Sequence, residues 1–406
     1  LNNEGLKYFE AGELLKAKRF FDQAVIANSE LASAYGNRGM AFSGLGEYEK
    51  ALKDINQGIK LDPSRAIFYS NRATVEFQQG RFEAATESCN KALSMNDDNV
   101  RCLAFATRCA INMTLGNKER ALEDGKAALA INPRHVKALS NYAAALIEAG
   151  VDWKGCSYAS DALKLKPDHG LAFVIRCQAN AELGKLEEAL ADGNNGVKFL
   201  PDEPLAYNNR GYAYYLMGDY KKALIDFDQA IARKASEAMF HNNRGLALLD
   251  MDKLEEAHES LKKAVELDET LGLAYINRIH IYLAWEMYDK ALADGHLAVK
   301  YDGTGIAYNN RAFAAELSGD AEAALKDYEK AIELSPSDTD FLYGMSGHDL
   351  ILGDFGTVVR QLVRVEDGYG GMEDAVAILS ATTRAYDDLG NSLAGDSDFV
   401  YGDTAA

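Results

Sequence analysis

The sequence predicts an all-α protein built from stacked pairs of helices, and three observations support this fold class. A unit of 34 residues recurs along the chain, with small residues at fixed places in it and a glycine near its middle. Only 6 of the 406 residues are proline, which suits long helical stretches. No run of 18 apolar residues occurs, so no membrane span is predicted.

The repeat can be followed through most of the chain by aligning the sequence with itself. The copies at 32–65, 204–237 and 305–338 are the clearest. The unit at 100–135 carries two extra residues, and the unit at 272–304 is one short. The predicted array covers 1–338, with a partial repeat at 1–31 and full repeats at 32–65, 66–99, 100–135, 136–169, 170–203, 204–237, 238–271, 272–304 and 305–338.

Each recurrent residue type within the unit has a physical explanation. Glycine or alanine at positions 8, 20 and 27 lets neighbouring helices approach closely, and position 24 carries a larger filler such as Ile55 or Leu261. Glycine at position 15, for example Gly46, can adopt the positive φ of a turn between two helices. Proline at position 32, for example Pro63, ends the second helix.

Arginine at position 7 and aspartate at position 23 form a second recurrent pattern. In an antiparallel helix pair that turns near position 15 these two positions lie opposite each other, so we expect partly buried ion pairs that fix register. The unit at 136–169 has Tyr142 and Tyr158 at the two places. The predicted pairs are Arg38/Asp54, Arg176/Asp192, Arg210/Asp226, Arg278/Asp294 and Arg311/Asp327.

These residues and their spacing resemble the tetratricopeptide repeat family over residues 1–338. The resemblance implies a tetratricopeptide-type α-solenoid, a right-handed superhelix of antiparallel helix pairs with about ten repeats. After residue 338 the pattern fades. We interpret 339–390 as a degenerate repeat with C-terminal capping helices, which a solenoid needs to cover its last apolar face. Residues 391–406 are polar and are expected to form a flexible tail.

Charge and cysteine usage narrow the partners and the compartment. The net charge of -19 disfavours nucleic acid, which binds clustered Lys and Arg, and allows a basic or neutral protein partner or a simple role in solubility. The cysteine count of 5 is odd and no CxxC occurs, which favours buried thiols in the cytoplasm. The chain starts at Leu1, which leaves export to the periplasm or beyond open.

No motif in the sequence predicts catalysis. The 7 histidines are scattered, and neither HExxH, GxSxG, a phosphate-binding GxxxxGK[ST] nor a strand followed by GxGxxG occurs. We therefore predict no catalytic residues, no metal site and no cofactor, and a protein that is not an enzyme.

The family resemblance implies that the first helix of each repeat lines a concave face. Asparagine recurs there at positions 5 and 6, and a row of amides could bond an extended peptide backbone; alternatively these amides bond a neighbouring helix. Flanking apolar and aromatic side chains favour a partner in repeats 204–338. The predicted contact residues are Asn208, Asn209, Tyr212, Tyr215, Asn242, Asn243, Leu246, Asn277, His280, Asn309, Asn310 and Phe313.

The predicted function is a non-catalytic scaffold or adaptor that holds an extended or helical partner segment in this concave groove. Position 5 is never basic, so the carboxylate clamp by which some family members hold a chaperone C-terminus is not supported. Two alternatives remain open. The first is a structural subunit of a larger assembly that uses the convex face and the end caps. The second is a regulatory module beside an enzyme, which no residue supports.

Overall fold

The computed structural model describes residues 1–334, which form twenty helices and no strand. The all-α prediction is confirmed over this part of the chain. The proposed capping helices at 339–390 and the tail at 391–406 lie outside the described residues. In order, the helices are α1 (Asn2–Glu10), α2 (Leu14–Ala27), α3 (Ala32–Gly44), α4 (Tyr48–Leu61), α5 (Ala66–Gln78), α6 (Phe82–Leu93), α7 (Asp98–Thr114), α8 (Lys118–Ile131), α9 (Val136–Glu148), α10 (Asp152–Leu165), α11 (Gly170–Glu182), α12 (Leu186–Phe199), α13 (Pro204–Leu216), α14 (Tyr220–Arg233), α15 (Ala238–Leu249), α16 (Leu254–Leu267), α17 (Gly272–Ala284), α18 (Tyr288–Tyr301), α19 (Gly305–Leu317) and α20 (Ala321–Leu334).

The chain divides into two units, one over Leu1–Asp219 and one that begins at Tyr220. Within each unit every first helix of a repeat contacts the first helix of the next repeat. No two second helices of adjacent repeats are in contact within either unit, as far as residues 1–334 are concerned. The first helices are therefore closer together than the second ones, and they form what we call the inner wall of each unit.

The predicted small positions are the places where the two helices of a repeat approach most closely. A Cβ built on Gly39 of α3 would lie 2.7 Å from Ile55 Cγ1 of α4, and one built on Gly245 of α15 would lie 2.7 Å from Leu261 Cγ of α16. The alanine at position 20 is fully buried in both repeats, as Ala51 and Ala257. Position 8 therefore receives the larger side chain of position 24.

The turns between paired helices are also as predicted, with one variation. Glycines at position 15 have positive φ, for example Gly46 at 76° and Gly319 at 88°. Two repeats place other residues there, and Asp252 and Glu286 both have a φ of 56°. A residue with a Cβ is strained in this left-handed region, most of all when it is not Asn or Asp.

Replacing Glu286 with glycine is expected to stabilise the protein by about 1 kcal/mol, because glycine adopts this φ without the clash of a Cβ. The measurement is the free energy of unfolding in urea, followed by circular dichroism. Gly319→Ala is the converse change in the same unit and should destabilise by about the same amount. A loss of stability in Glu286→Gly would show that the glutamate side chain contributes more than the strain costs.

Four of the five predicted Arg–Asp pairs are present: Arg38/Asp54, Arg176/Asp192, Arg278/Asp294 and Arg311/Asp327. Each guanidinium donates two hydrogen bonds to its carboxylate. In one pair Arg278 Nε lies 2.6 Å from Asp294 Oδ2 and Nη2 lies 2.8 Å from Oδ1. The pair Arg210/Asp226 would join the two units and stays a prediction. The rings of Tyr142 and Tyr158 meet edge to face with centroids 5.0 Å apart, so they pack at the two places where several other repeats have an ion pair.

Two features of these pairs were missed from the sequence. Arg108 pairs with Asp124 at 2.6 Å, but the two extra residues of its repeat shift it away from position 7. In some of these pairs the second amino group of the arginine also reaches the preceding repeat: Arg38 Nη1 lies 3.1 Å from Asp22 Oδ1, and Arg176 Nη1 lies 3.1 Å from Ser160 Oγ. One guanidinium thus connects three helices, so it ties neighbouring repeats together as well as one hairpin.

Four of the five cysteines are buried, as expected from the sequence, and Cys156 is half-buried. Cys89 of α6 and Cys109 of α7 are both fully inaccessible to solvent. Burial raises the pKa of each thiol to about 12, so both stay protonated at neutral pH. They act as small apolar side chains between helices rather than as reactive groups.

Candidate functional site

The inner wall of the second unit consists of α15, α17 and α19, and α17 shows which side of these helices faces inward. Arg278 is bonded to Asp294 on α18, so its side of the helix faces the second helices. Leu273 and His280 are five residues before and two residues after Arg278, which places them on the opposite side at 3.6 residues per turn. Leu273 is 41% exposed, and His280 is exposed as well.

Four of the asparagines at position 6 donate hydrogen bonds between adjacent first helices. The acceptors are a side-chain or main-chain oxygen about one repeat earlier, so the amides connect one repeat to the next. The sequence left two interpretations of these amides open, and these bonds match the second one, in which the amides bond a neighbouring helix. The bonds are Asn37 Nδ2 to Asn2 Oδ1 at 3.1 Å, Asn141 Nδ2 to the Ala106 carbonyl at 2.7 Å, Asn209 Nδ2 to the Val174 carbonyl at 3.1 Å and Asn277 Nδ2 to Asn242 Oδ1 at 3.0 Å.

Four of the predicted contact residues lie on α13 in the first unit. Asn208 and Asn209 are 7% and 8% exposed, and Asn208 Nδ2 donates to Asn209 Oδ1 at 3.2 Å. The half-buried rings of Tyr212 and Tyr215 stack with centroids 6.1 Å apart. Burial raises the pKa of Tyr212, and nearby Glu182 adds to the effect, so the phenol is neutral. The two tyrosines offer more surface to a partner than the two amides do.

The other eight predicted residues lie on the inner wall of the second unit. Asn242, Asn309, Asn310 and Phe313 are buried, with Phe313 8% exposed. Asn242 Nδ2 also donates to Asn243 Oδ1 at 3.3 Å. These side chains contribute mainly to packing between first helices, and their roles as contact residues stay predictions. Asn309 Oδ1 is a buried acceptor without a hydrogen-bond partner.

His280 is the exposed polar residue at the centre of this wall. Its Nε2 lies 3.3 Å from Nδ2 of Asn310 on α19, and a neutral ring can accept this hydrogen bond. The surrounding protein lowers the pKa of His280 by desolvation, and the carboxylate of Asp250 partly opposes the shift. The imidazole is therefore uncharged at neutral pH.

Several of the accessible side chains on the inner wall of the second unit are apolar. Leu246, Leu249 and Leu283 are half-buried, and Leu273 is more exposed than any of them. Leu273 was absent from the predicted contact residues, although its place at position 2 of its repeat was a signal for it. The wall can therefore bury apolar groups of a partner, which is the main source of binding energy at protein interfaces.

The described part of the chain shows neither a metal-binding cluster nor a helix suited to span a membrane. Residues 1–334 contain no group of three or more His, Cys, Asp or Glu side chains arranged to hold a metal ion. None of the twenty described helices combines the length and the apolar character that a membrane crossing requires.

Comparison with known families identifies the repeat. Two family models, each described as a tetratricopeptide repeat, match separate parts of the chain. The first matches residues 32–65, 204–235 and 305–338, and the second matches 66–99 and 240–271. The matches at 32–65, 66–99 and 305–338 have the same bounds as the units found by self-alignment, and those at 204–235 and 240–271 are each two residues shorter.

Several known proteins are similar to parts of this chain. A segment of 87 residues is 36% identical to serine/threonine-protein phosphatase 5 of Rattus norvegicus, and it covers 21% of this chain and 17% of the phosphatase. The chain thus spans only a small part of that relative. The human IFIT1 dimer with m7Gppp-AAAA has a TM-score of 0.51 at 16% identity, over 82% of this chain and 89% of that chain. A tetratricopeptide repeat protein from Parabacteroides merdae is 20% identical over 61% of this chain and 97% of that chain, with a TM-score of 0.45. At such identities the likeness to the IFIT1 structure concerns the fold alone.

Proposed function

Since the chain is a tetratricopeptide repeat protein, and such repeats serve as protein-interaction scaffolds, we propose that its inner wall holds an extended or helical segment of a partner protein. The observation that carries the proposal is the partly exposed apolar surface around Leu246, Leu273 and Leu283 in the second unit. Apolar side chains exposed as a continuous row mark interaction surfaces more often than isolated ones do.

The asparagine hydrogen bonds of the inner wall bear on which contacts would hold such a segment. Because Asn277 and Asn310 already bond the neighbouring helix, apolar contacts rather than a ladder of amides supply most of the affinity. From the sequence we expected a row of amides to bind the segment. The proposal keeps the same inner wall but assigns most of the binding energy to apolar contacts.

A photo-cross-linking experiment tests the proposed face. A benzophenone amino acid is placed at Leu273 on the inner wall of the full chain or, as a control, at Ile225 on the second helix α14, which is 62% exposed. We expect the probe at Leu273 to form a discrete adduct with a partner in native extract and the probe at Ile225 to form none. Adding Leu246→Asp should weaken the captured interaction about tenfold or more, because a buried unpaired carboxylate is costly.

The alternative function gives the opposite pattern. A structural subunit that uses its convex face would be cross-linked from Ile225 and would be indifferent to Leu246→Asp. Helical circular dichroism of each variant shows whether the repeats remain folded. Adducts from Ile225 alone would rule out the proposed groove.

A further inference from the structure

The inner wall of the second unit carries no available positive charge. Each of α15, α17 and α19 contains one arginine and no lysine: Arg244, Arg278 and Arg311. All three point away from the wall and are bonded to aspartates on second helices, Arg244 to Asp228 and the others to Asp294 and Asp327. Two histidines lie on these helices as well: His241 of α15, whose Nε2 lies 3.0 Å from the Ala235 carbonyl, and His280 of α17, which is uncharged at neutral pH.

The wall does carry a carboxylate. Asp250 is exposed and caps the C-terminus of α15, four residues after Leu246 and therefore on the same side of the helix. It is close enough to His280 on α17 to influence its titration. No lysine or arginine among residues 1–334 forms a salt bridge with Asp250, so its carboxylate has no cationic partner in the described part of the chain. The C-terminal end of a helix carries partial negative charge, so a carboxylate there adds to a local field that attracts cations.

Together these observations describe an apolar surface with one exposed carboxylate, Asp250, and no available positive group. The other carboxylate of these three helices, Glu316 of α19, accepts a hydrogen bond from the Tyr328 hydroxyl of α20. The apolar side chains of a bound segment would contact Leu246, Leu273 and Leu283. A side chain at the edge of the segment would meet Asp250. An acidic segment would meet the carboxylate of Asp250 and find no cation to compensate for its own desolvation. The net charge of -19 acts in the same direction over longer distances.

We propose that the inner wall of the second unit takes an amphipathic peptide segment whose apolar side chains lie on Leu246, Leu273 and Leu283 and whose lysine or arginine pairs with Asp250. This inference rests on the proposed function and specifies the chemistry of the partner. The cation of the segment supplies the charge that the wall lacks, and its apolar residues supply most of the contact area. A segment with carboxylates in place of the basic residue is rejected.

Selection from a phage-displayed library of random peptides, with the full chain as bait at neutral pH, tests the proposal. We expect the enriched peptides to combine leucine-like residues with lysine or arginine. The best peptide is then synthesised, and its affinity is measured by fluorescence anisotropy. Asp250→Lys should weaken binding about tenfold or more by placing two cations together. The same peptide with glutamate at its basic position should bind Asp250→Lys better than it binds the native chain.

Glu255→Lys is the matched control. Glu255 is exposed on the second helix α16, and its replacement changes the net charge by the same amount as Asp250→Lys. We expect it to change the affinity less than about twofold, since exposed charges at a distance are screened by salt. Equal effects of the two substitutions would overturn the pairing with Asp250 and leave only a general charge effect.

The remaining outcomes separate this inference from the proposed function. A peptide that loses affinity in Leu246→Asp but is unaffected by Asp250→Lys would overturn the inference and retain the groove. Enrichment of acidic or uncharged peptides would do the same. A peptide that is insensitive to both substitutions, or a selection without any enriched peptide, would count against the groove itself.

Discussion

Replacing Phe68 with alanine is expected to lower the free energy of unfolding by about 3–5 kcal/mol, because the change leaves a cavity in a packed core. Phe68 of α5 is 2% exposed and packs with Ile55 and Val75. Its ring also lies over Gly36 of α3, where a built Cβ would come within 2.4 Å of Phe68 Cε1. The side chain therefore fills the space between two successive repeats.

Urea denaturation, followed by circular dichroism, measures the effect. Trp153→Ala is the control, since that aromatic side chain is 63% exposed in the same unit and its loss should change stability by about 0.5 kcal/mol or less. A double-mutant cycle adds a second test. Gly36→Ala alone should destabilise by about 1–3 kcal/mol, and by clearly less when Phe68→Ala has emptied the space. Additive effects would show that the two residues are not in contact in solution.

Replacing Asp294 with alanine is expected to cost about 3–5 kcal/mol, because it leaves the guanidinium of Arg278 buried without a counter-charge. The two side chains are 13% and 6% exposed and share two hydrogen bonds. Desolvation opposes the charged form of Arg278, and the hydrogen bond to Asp294 more than compensates, together with its charge, so the pKa of Arg278 is raised. A guanidinium stays protonated in proteins even without a counter-charge, so the arginine is still charged when its partner is removed.

Asp228→Ala provides the comparison for this effect. Asp228 bonds Arg244 at 2.8 Å, but its side chain is 57% exposed. Its removal should cost about 1 kcal/mol or less, since exposed ion pairs contribute little. Chemical denaturation of the two variants under one set of conditions compares them, and similar losses would show that burial does not control the energy of the pair.

The chain itself suggests a variant that should restore stability. Tyr142 and Tyr158 pack together at the two places where several other repeats have arginine and aspartate. The double variant Arg278→Tyr and Asp294→Tyr should therefore recover most of the stability lost in Asp294→Ala, because no buried charge remains. Failure to recover would mean that two tyrosine rings do not pack between α17 and α18 as they do between α9 and α10.

The sequence alone predicted the features that depend on residues within one repeat. The small residue of position 8 against the filler of position 24, the glycine turn, and four arginine–aspartate pairs all follow from one helix, one turn and a second helix. Such contacts join residues about 16 positions apart, as in Arg278 and Asp294, so a fixed spacing reveals them. Arg108 was missed because the two extra residues of its unit shift it relative to the start of the repeat, although its spacing from Asp124 is the same as in the other pairs.

The tertiary structure decided the features that depend on how one repeat docks on the next. It bonded Asn277 to the neighbouring helix, buried Phe313, left Leu273 exposed and turned every arginine of α15, α17 and α19 away from the inner wall. The physical reason is that a periodic sequence specifies which face of a helix is apolar, whereas the angle and distance between successive helix pairs determine how much of that face stays accessible. The period of the sequence was therefore enough to predict the fold, whereas the accessible surface followed only from the packing of successive helix pairs.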